Sequence, residues 1–303
     1  MKNEPIAIVG MGCRFPAGAS GPERFWDLLT RGVDAMGPVP PSRWDHRRFY
    51  DPDPKRPGKI YVEEAAFLRE PIEAFDALAF GISPREAKYM DPQQRLLLEV
   101  AWEAFEDAGV PLESVRGGEV GVFVGGFTLD SMVTQLAYEN QHLIGSHSGP
   151  GATMTMLANR LSHVFDLRGP SVSMDTACSS SLVATHFACQ AIWRGECDMA
   201  LVGGVNVMLR PGFPIVMCKG GFLSHHGRCM AFDERAAGYA RGEGAGIAVL
   251  KPLREALADG DRIYASVLAT GVNQDGRTQG ISLPNRDAQA TLVRRVLDEA
   301  GVP

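Results

Sequence analysis

Apolar residues recur along the chain with two different periods, and their alternation predicts the order of strands and helices. Short runs rich in β-branched residues and bounded by glycine or proline are typical of buried strands, and they occupy residues 6–15, 119–126, 171–177, 198–209, 244–252 and 261–272. Apolar residues at helical spacing predict helices at residues 22–32, 91–109, 151–165, 179–195 and 286–301. The alternation predicts an α/β fold, with a largely parallel sheet covered by helices on both faces.

The helix at 91–109 carries the clearest boundary signals. Asp91 stands at a capping position, Pro92 at the first helical position and Gly109 at the end. By contrast, residues 37–60 contain six prolines, so we predict a surface excursion there and not a core element.

Glycine clusters at the ends of predicted strands have a packing explanation. The segments FVGG and VGGVNV predict places where a helix approaches the sheet closely. GEGAG at 242–246 lacks the lysine and the spacing of a phosphate-binding loop, and tight turns are the favoured interpretation.

Composition and charge exclude several classes of function. The chain of 303 residues is 45% hydrophobic and 22% charged, as in ordinary globular proteins, with a formal charge of −6. Its 30 basic residues are scattered, which argues against nucleic acid as a partner. No apolar run approaches the roughly 20 residues of a membrane helix, and no secretory signal opens the chain. We therefore expect a cytoplasmic protein without membrane association.

The six cysteines do not form a metal or disulfide pattern. They sit in a long chain without a closely spaced pair or a matching histidine spacing, so a disulfide framework or zinc site is not expected. Most should be small buried residues, as predicted for Cys189, which lies inside the apolar pattern of the helix at 179–195.

Cys178 differs because it falls between a predicted strand and the first turn of a helix. Unpaired backbone N–H groups and the positive end of the helix dipole favour a thiolate there and could stabilise an oxyanion. The neighbouring alanine and serines leave room for a substrate. Position alone leaves two interpretations open: a nucleophile, or a buried structural cysteine.

Longer motifs add a family resemblance over the whole chain. DTACSSSL resembles the active-site signature of β-ketoacyl synthases, and in particular of the ketosynthase domains of modular type I polyketide synthases. IAIVGMGCRFP, DPQQRLLLEVAWEAFEDAG, GYARGEGAGIAVLKPL and VNQDGRTQGISLPN follow the family's order. The resemblance implies a thiolase-like fold with αβαβα layers and a homodimer. Residues 1–251 would then be the N-terminal half and residues 252–303 the start of the C-terminal half.

The resemblance also implies a reaction. Cys178 would accept an acyl group from the phosphopantetheine arm of an acyl carrier protein, and decarboxylation of a malonyl-type extender would generate the carbanion that attacks it. Neither a metal nor a directly bound cofactor is implied. A neighbouring acyltransferase domain of the same synthase is the other expected partner.

Four further residues are implied as substrate-channel residues. Thr153, Met154 and Thr155 match a family segment near the dimer interface that reaches the partner's acyl channel, and Phe232 matches a motif near the active site. Ordinary helix packing remains the alternative for each of the first three.

Two family motifs with catalytic histidines, resembling HGTGT and KSNIGHT, do not occur in this sequence. We therefore expect an incomplete C-terminal half, acylation without condensation, and marginal stability of the chain alone. None of the seven histidines is an evident substitute: His186 lies about 12 Å along the helix from Cys178, and His225 and His226 belong to a loop. The alternatives are a fatty-acid-type condensing enzyme and a non-catalytic dimerisation or scaffold piece.

Overall fold

The computed structural model describes residues 3–302. Its strands are β1 (Ile6–Phe15), β2 (Ala19–Ser20), β3 (Gly37–Pro38), β4 (Glu64–Ala65), β5 (Val120–Gly125), β6 (Ser171–Met174), β7 (Met199–Asn206), β8 (Gly244–Pro252) and β9 (Ala265–Val267). Its α-helices are α1 (Pro22–Thr30), α2 (Pro84–Ala87), α3 (Pro92–Asp107), α4 (Leu112–Val115), α5 (Asp130–Gln135), α6 (Ser148–Ala152), α7 (Met156–Phe165), α8 (Ser180–Trp193), α9 (Gly212–Lys219), α10 (Leu253–Asp259) and α11 (Arg286–Ala300).

One mixed sheet organises the chain, in the order β2-β1-β8-β7-β5-β6, with β9 added on β1. Strand β5 pairs in parallel with β6 and β7, whereas β8 runs antiparallel to both β7 and β1, and β9 runs antiparallel to β1. The prediction of a largely parallel sheet is therefore right for β5, β6 and β7, which pair in parallel, and wrong for β1, β8 and β9, whose pairings are all antiparallel. The chain leaves β7 through α9 and a loop that returns to the same end of the sheet, so β8 runs back beside β7.

Side chains alternate between the two faces of the sheet and build two apolar cores. Val122, Leu201 and Val249 lie side by side on three neighbouring strands and pack toward α3 and α7. Phe123 and Val202 point to the other face and pack against α8. Helices cover both faces of the sheet, as predicted, and the described part of the chain therefore has three layers, helix–sheet–helix.

The cap of α3 forms as predicted. The Asp91 carboxylate accepts a hydrogen bond of 2.8 Å from the Gln93 N–H, and Gly109 adopts a positive φ of 67° just beyond the helix. Asp91 is almost completely buried, and this burial raises the pKa of its carboxyl to about 6.

The helix predicted over 151–165 is broken into α6 and α7. Thr153 adopts an extended conformation at the break. Two glycines and a proline in α6 are weak helix formers, and Gly151 packs directly against the backbone of Tyr89, where no side chain fits. Thr153, Met154 and Thr155 therefore lie in the link between two helices and not inside one.

Residues 37–60 form an irregular excursion as predicted, but some of its side chains are buried in small apolar clusters. Trp44 is buried against Phe67, with ring centroids 5.8 Å apart, and Ile60 is buried in a separate small cluster.

The sequence did not predict α9 or α10, because both are short and lie between stronger patterns. Within residues 3–302, no helix combines the length and the apolar character needed to cross a membrane.

Candidate active site

Cys178 lies in a single 3₁₀ turn, Ala177–Ser179, that joins the end of β6 to the start of α8. Its side chain is exposed. Among the described residues, no side chain caps the first turn of α8, and the Ser180 N–H donates to the Ala177 carbonyl. The positive end of the helix dipole therefore lies beside Cys178 without a side-chain acceptor. The predicted strand–turn–helix position of the cysteine is confirmed.

Short-range hydrogen bonds hold this turn. The Ala177 N–H donates to the Asp175 carboxylate at 2.8 Å, and the Ser180 hydroxyl donates to the Ala177 carbonyl at 2.7 Å. The Thr176 N–H in turn donates to the Ser180 hydroxyl at 2.9 Å. Ala177 has a positive φ of 56°, which costs a residue with a side chain roughly 1–3 kcal/mol. A strained conformation beside Cys178 is thus held by its own neighbours.

Two glycines allow α8 to start close to the sheet. A Cβ on Gly125, at the end of β5, would lie 2.5 Å from the Ser181 nitrogen, and one on Gly204, in β7, would lie 3.0 Å from the Ser181 Cβ. The close helix–sheet approach predicted from FVGG and VGGVNV is confirmed. Because of it, the turn with Cys178 lies directly over the ends of the central strands.

A cavity of about 1310 Å³ opens beside Cys178. Apolar atoms make most of its wall, which comes from β1, α1, the start of α8, β8 and the loop after α9. Aromatic residues of two distant segments contribute, among them Trp26, Phe222 and Tyr239. Concave, mostly apolar sites with few polar groups are typical of small-molecule binding.

The other cysteines separate into buried and exposed ones. Burial raises the pKa of Cys189 to about 12 and that of Cys197 to about 11, and it also raises the pKa of Cys13 and Cys218. These thiols therefore remain protonated at neutral pH, and the thiol form is a poor nucleophile. Cys229 is exposed, but it does not line the cavity, and its sulfur accepts a bond of 3.2 Å from the Ala240 N–H.

The predicted channel residues do not reach this cavity within their own chain. Thr153 and Thr155 are exposed, and Met154 packs against the core below α7. Phe232 is fully exposed, with a strained φ of 67°, and does not line the cavity. Its neighbour Asp233 binds Arg235 through two side-chain hydrogen bonds, and the Arg235 guanidinium lowers the pKa of that carboxyl to about 2.

None of the seven histidines, all within the described residues, lines the cavity. His186 is hydrogen-bonded through Nδ1 to the Thr270 hydroxyl at 2.8 Å, and burial lowers its pKa. His225 stacks on Tyr61 with ring centroids 4.4 Å apart, in an exposed loop as predicted.

Sequence reasoning missed the polar residues of the cavity wall. Arg241 and Glu243 line it and flank Gly242, in the segment interpreted as tight turns. The strand predicted at residues 244–252 is confirmed as β8, so the interpretation of GEGAG as tight turns was wrong for Gly244 and Gly246, which lie in that strand. The only signal in the sequence was the charge pair within a glycine cluster, which a search for phosphate loops does not detect.

Comparison with known proteins identifies the family of this site. A family model described as the N-terminal domain of beta-ketoacyl synthase matches residues 3–256. The chain is 48% identical over 299 residues to a phenolphthiocerol/phthiocerol polyketide synthase of Mycobacterium tuberculosis, and the match covers 99% of this chain and 19% of that protein. It is 46% identical over 300 residues to the partially reducing polyketide synthase tpeA of Talaromyces stipitatus, covering 99% and 12%.

Solved structures give the same relationship. An oxazolomycin ketosynthase domain of Streptomyces albus superposes with a TM-score of 0.93 at 41% identity, over 99% of this chain and 51% of that chain. A ketosynthase from module 6 of the bacillaene synthase of Bacillus subtilis gives 0.89 at 40% identity, over 98% and 49%. The chain therefore spans about half the length of these ketosynthases, and less than a fifth of the two synthases named above.

Proposed function

This chain belongs to the beta-ketoacyl synthase family and has its thiolase-like fold, and we propose that it carries the acyl-accepting cysteine of a polyketide ketosynthase. The observation that carries the proposal is the placement of Cys178: exposed, at the uncapped start of α8, and open to a large apolar cavity. The names of the relatives favour polyketide over fatty-acid synthesis.

In the proposed reaction, the Cys178 thiolate attacks the carbonyl carbon of an acyl thioester. A tetrahedral oxyanion forms, and its collapse expels the donor's thiol and leaves the acyl group on the Cys178 sulfur. Backbone N–H groups at the start of α8 supply positive potential where the negative charge develops. The apolar wall, including Leu182 beside the turn, shelters the acyl chain.

Condensation is the second proposed step. An extender carboxylate leaves as CO₂, and the resulting carbanion attacks the acyl-cysteine to form a carbon–carbon bond and release the thiolate. No histidine of this chain lines the cavity, so the residues described here support the acyl-accepting half of the cycle.

Carrier and acyltransferase domains are the proposed partners, because an acyl carrier protein would deliver both thioesters on its phosphopantetheine arm. We also propose a homodimer that forms along β6, the last strand of the sheet, which pairs only with β5 among the described strands. An open edge of this kind is a template for pairing with a second chain. The Ser173 hydroxyl of β6 donates to the Thr155 carbonyl at 3.0 Å, so residues 153–155 lie beside this edge and could reach the partner's channel.

Incubation with a labelled acyl N-acetylcysteamine thioester, followed by peptide mass spectrometry, tests the proposal. We expect label on the peptide that contains Cys178, loss of label in Cys178→Ala, and unchanged labelling in Cys229→Ala, which removes the other exposed thiol. Absence of label on a folded wild-type protein would contradict the proposal and favour a scaffold role.

A further inference from the structure

Arg241 is a buried cation in the cavity wall that forms no ion pair with any residue the structure describes. Its residue is 91% buried, since only 9% of its surface is exposed. Its side chain makes two long contacts: Nε donates to the Met208 sulfur at 3.4 Å and Nη1 to the Tyr239 hydroxyl at 3.4 Å. Among residues 3–302, no ion pair includes it.

The acidic groups beside Arg241 are already engaged elsewhere. Glu243 is completely buried and pairs with Arg43 at 2.8 Å, and it also accepts from the backbone N–H groups of Leu68 and Met208. The Asp130 carboxylate accepts from the Leu209 and Arg210 N–H groups, both at 2.9 Å. Neither carboxylate forms an ion pair with Arg241 among the described residues, although the Arg241 charge lies near enough to Asp130 to oppose the rise in the pKa of that carboxyl that burial causes.

The backbone on either side of Arg241 is fixed. Its carbonyl accepts from the Ala66 N–H at 2.9 Å, and the Glu243 N–H donates back to the Ala66 carbonyl at 3.0 Å.

A guanidinium keeps its charge at any working pH and offers five donors, of which two have a partner here. Burying such a charge without compensation is costly, so a group that brings a negative charge into the cavity would relieve that cost.

We propose that Arg241 binds an oxyanion of the thioester donor, a carboxylate or a phosphate, within the cavity that contains Cys178. The planar fork of arginine fits both anions with two parallel hydrogen bonds. The inference rests on the proposed function, because it assumes that the cavity receives the donor. It adds a positioning residue that holds the donor's charged end while the thioester lies near the cysteine.

Protection of Cys178 against alkylation by neutral iodoacetamide, read by mass spectrometry on the whole chain, measures binding without acyl transfer. Two matched probe pairs separate the sources of the anion. All four probes lack a free thiol and a thioester: S-methyl phosphopantetheine is compared with S-methyl pantetheine for a phosphate, and N-acetyl-N′-malonylethylenediamine, an amide analogue of the extender, with its diacetyl twin for a carboxylate. We expect one charged probe to protect at a concentration about tenfold or more below its neutral twin, which corresponds to one charge-assisted hydrogen bond.

Variants assign that preference to Arg241. Arg241→Met should abolish it and leave protection by the neutral probes unchanged, Arg241→Lys should retain part of it, and the exposed Arg116→Met should change nothing. If Arg241→Met misfolds, protection by the neutral probes is lost as well. The test then rests on the preference of the wild type for the charged probe and on the reduction of that preference in Arg241→Lys. Equal protection by charged and neutral probes in the wild type, or a preference that survives loss of the guanidinium, would overturn the inference. Failure of Cys178 to become acylated would refute the proposed function alone, because this binding assay does not use acylation.

Discussion

Replacing Glu243 by alanine should lower the free energy of unfolding by about 3–5 kcal/mol, the usual cost of breaking one partner out of a buried ion pair. The side chains of Glu243 and Arg43 are 0% and 3% exposed and lie 2.8 Å apart. Alanine would leave the Arg43 charge buried, and Arg43 Nε already lacks a hydrogen-bond partner. The Leu68 and Met208 N–H groups would lose their acceptor as well.

The opposite variant, Arg43→Met, should cost less. Glu243 would keep its two backbone donors, at 2.8 and 3.0 Å, and these stabilise a carboxylate even without the guanidinium. Methionine also retains much of the apolar stem of arginine. The expected order of destabilisation is therefore Glu243→Ala, then Arg43→Met, with the double variant less destabilised than the sum of the two.

Urea denaturation followed by tryptophan fluorescence measures these differences as shifts of the midpoint at constant slope. Arg31→Ala is a matched control, because Arg31 forms an exposed pair with Asp27 on α1, and such pairs contribute only about 0.3–0.5 kcal/mol. If Glu243→Ala shifted stability no more than Arg31→Ala, the argument from buried charge would be refuted.

Three further predictions concern packing, pH and capping. Gly125→Ala should destabilise the fold by about 1–3 kcal/mol and slow labelling of Cys178, since its Cβ would lie 2.5 Å from the Ser181 nitrogen; unchanged labelling and midpoint would contradict the close approach. Burial raises the pKa of the Asp91 carboxyl from 3.8 to about 6, so its contribution to the free energy of unfolding is fully present below pH 3.8. This contribution, up to roughly 3 kcal/mol, is lost as the pH rises through 6. Asp91→Asn keeps a capping oxygen but cannot titrate, so the urea midpoint of this variant should change less with pH in this range than the midpoint of the wild type. An unchanged pH dependence of the midpoint would argue against the raised pKa of Asp91. Asn285→Ala should cost about 1 kcal/mol in thermal or urea unfolding, because the Asn285 side chain caps α11 through two N–H groups, and no change would mean that this helix end is frayed.

The elements that the sequence predicted correctly are those whose cause is local. Asp91 and Pro92 define the start of α3 within one turn, and the small residues around Cys178 define the strand–turn–helix within ten positions. The break between α6 and α7 has a local cause in the glycines and proline of α6, but its position also depends on Gly151 meeting Tyr89. The antiparallel direction of β8 depends on where the loop after α9 returns. Neither is encoded in the period of apolar residues, because both are contacts between segments far apart in sequence.

The same distinction explains the site itself. Cys178 was found from sequence because the strand, the turn and the first turn of α8 are adjacent in the chain. Arg241 was not, because its significance arises only when segments around residues 43, 66, 208 and 239 meet and leave one guanidinium unpaired while its neighbour Glu243 is saturated. A sequence shows the alternating charges of Arg241 and Glu243 as an ordinary solvated pair. Folding separates them electrostatically, since Glu243 is neutralised by Arg43 and two backbone N–H groups, whereas Arg241, in the wall of the same cavity, has no ion pair among the described residues.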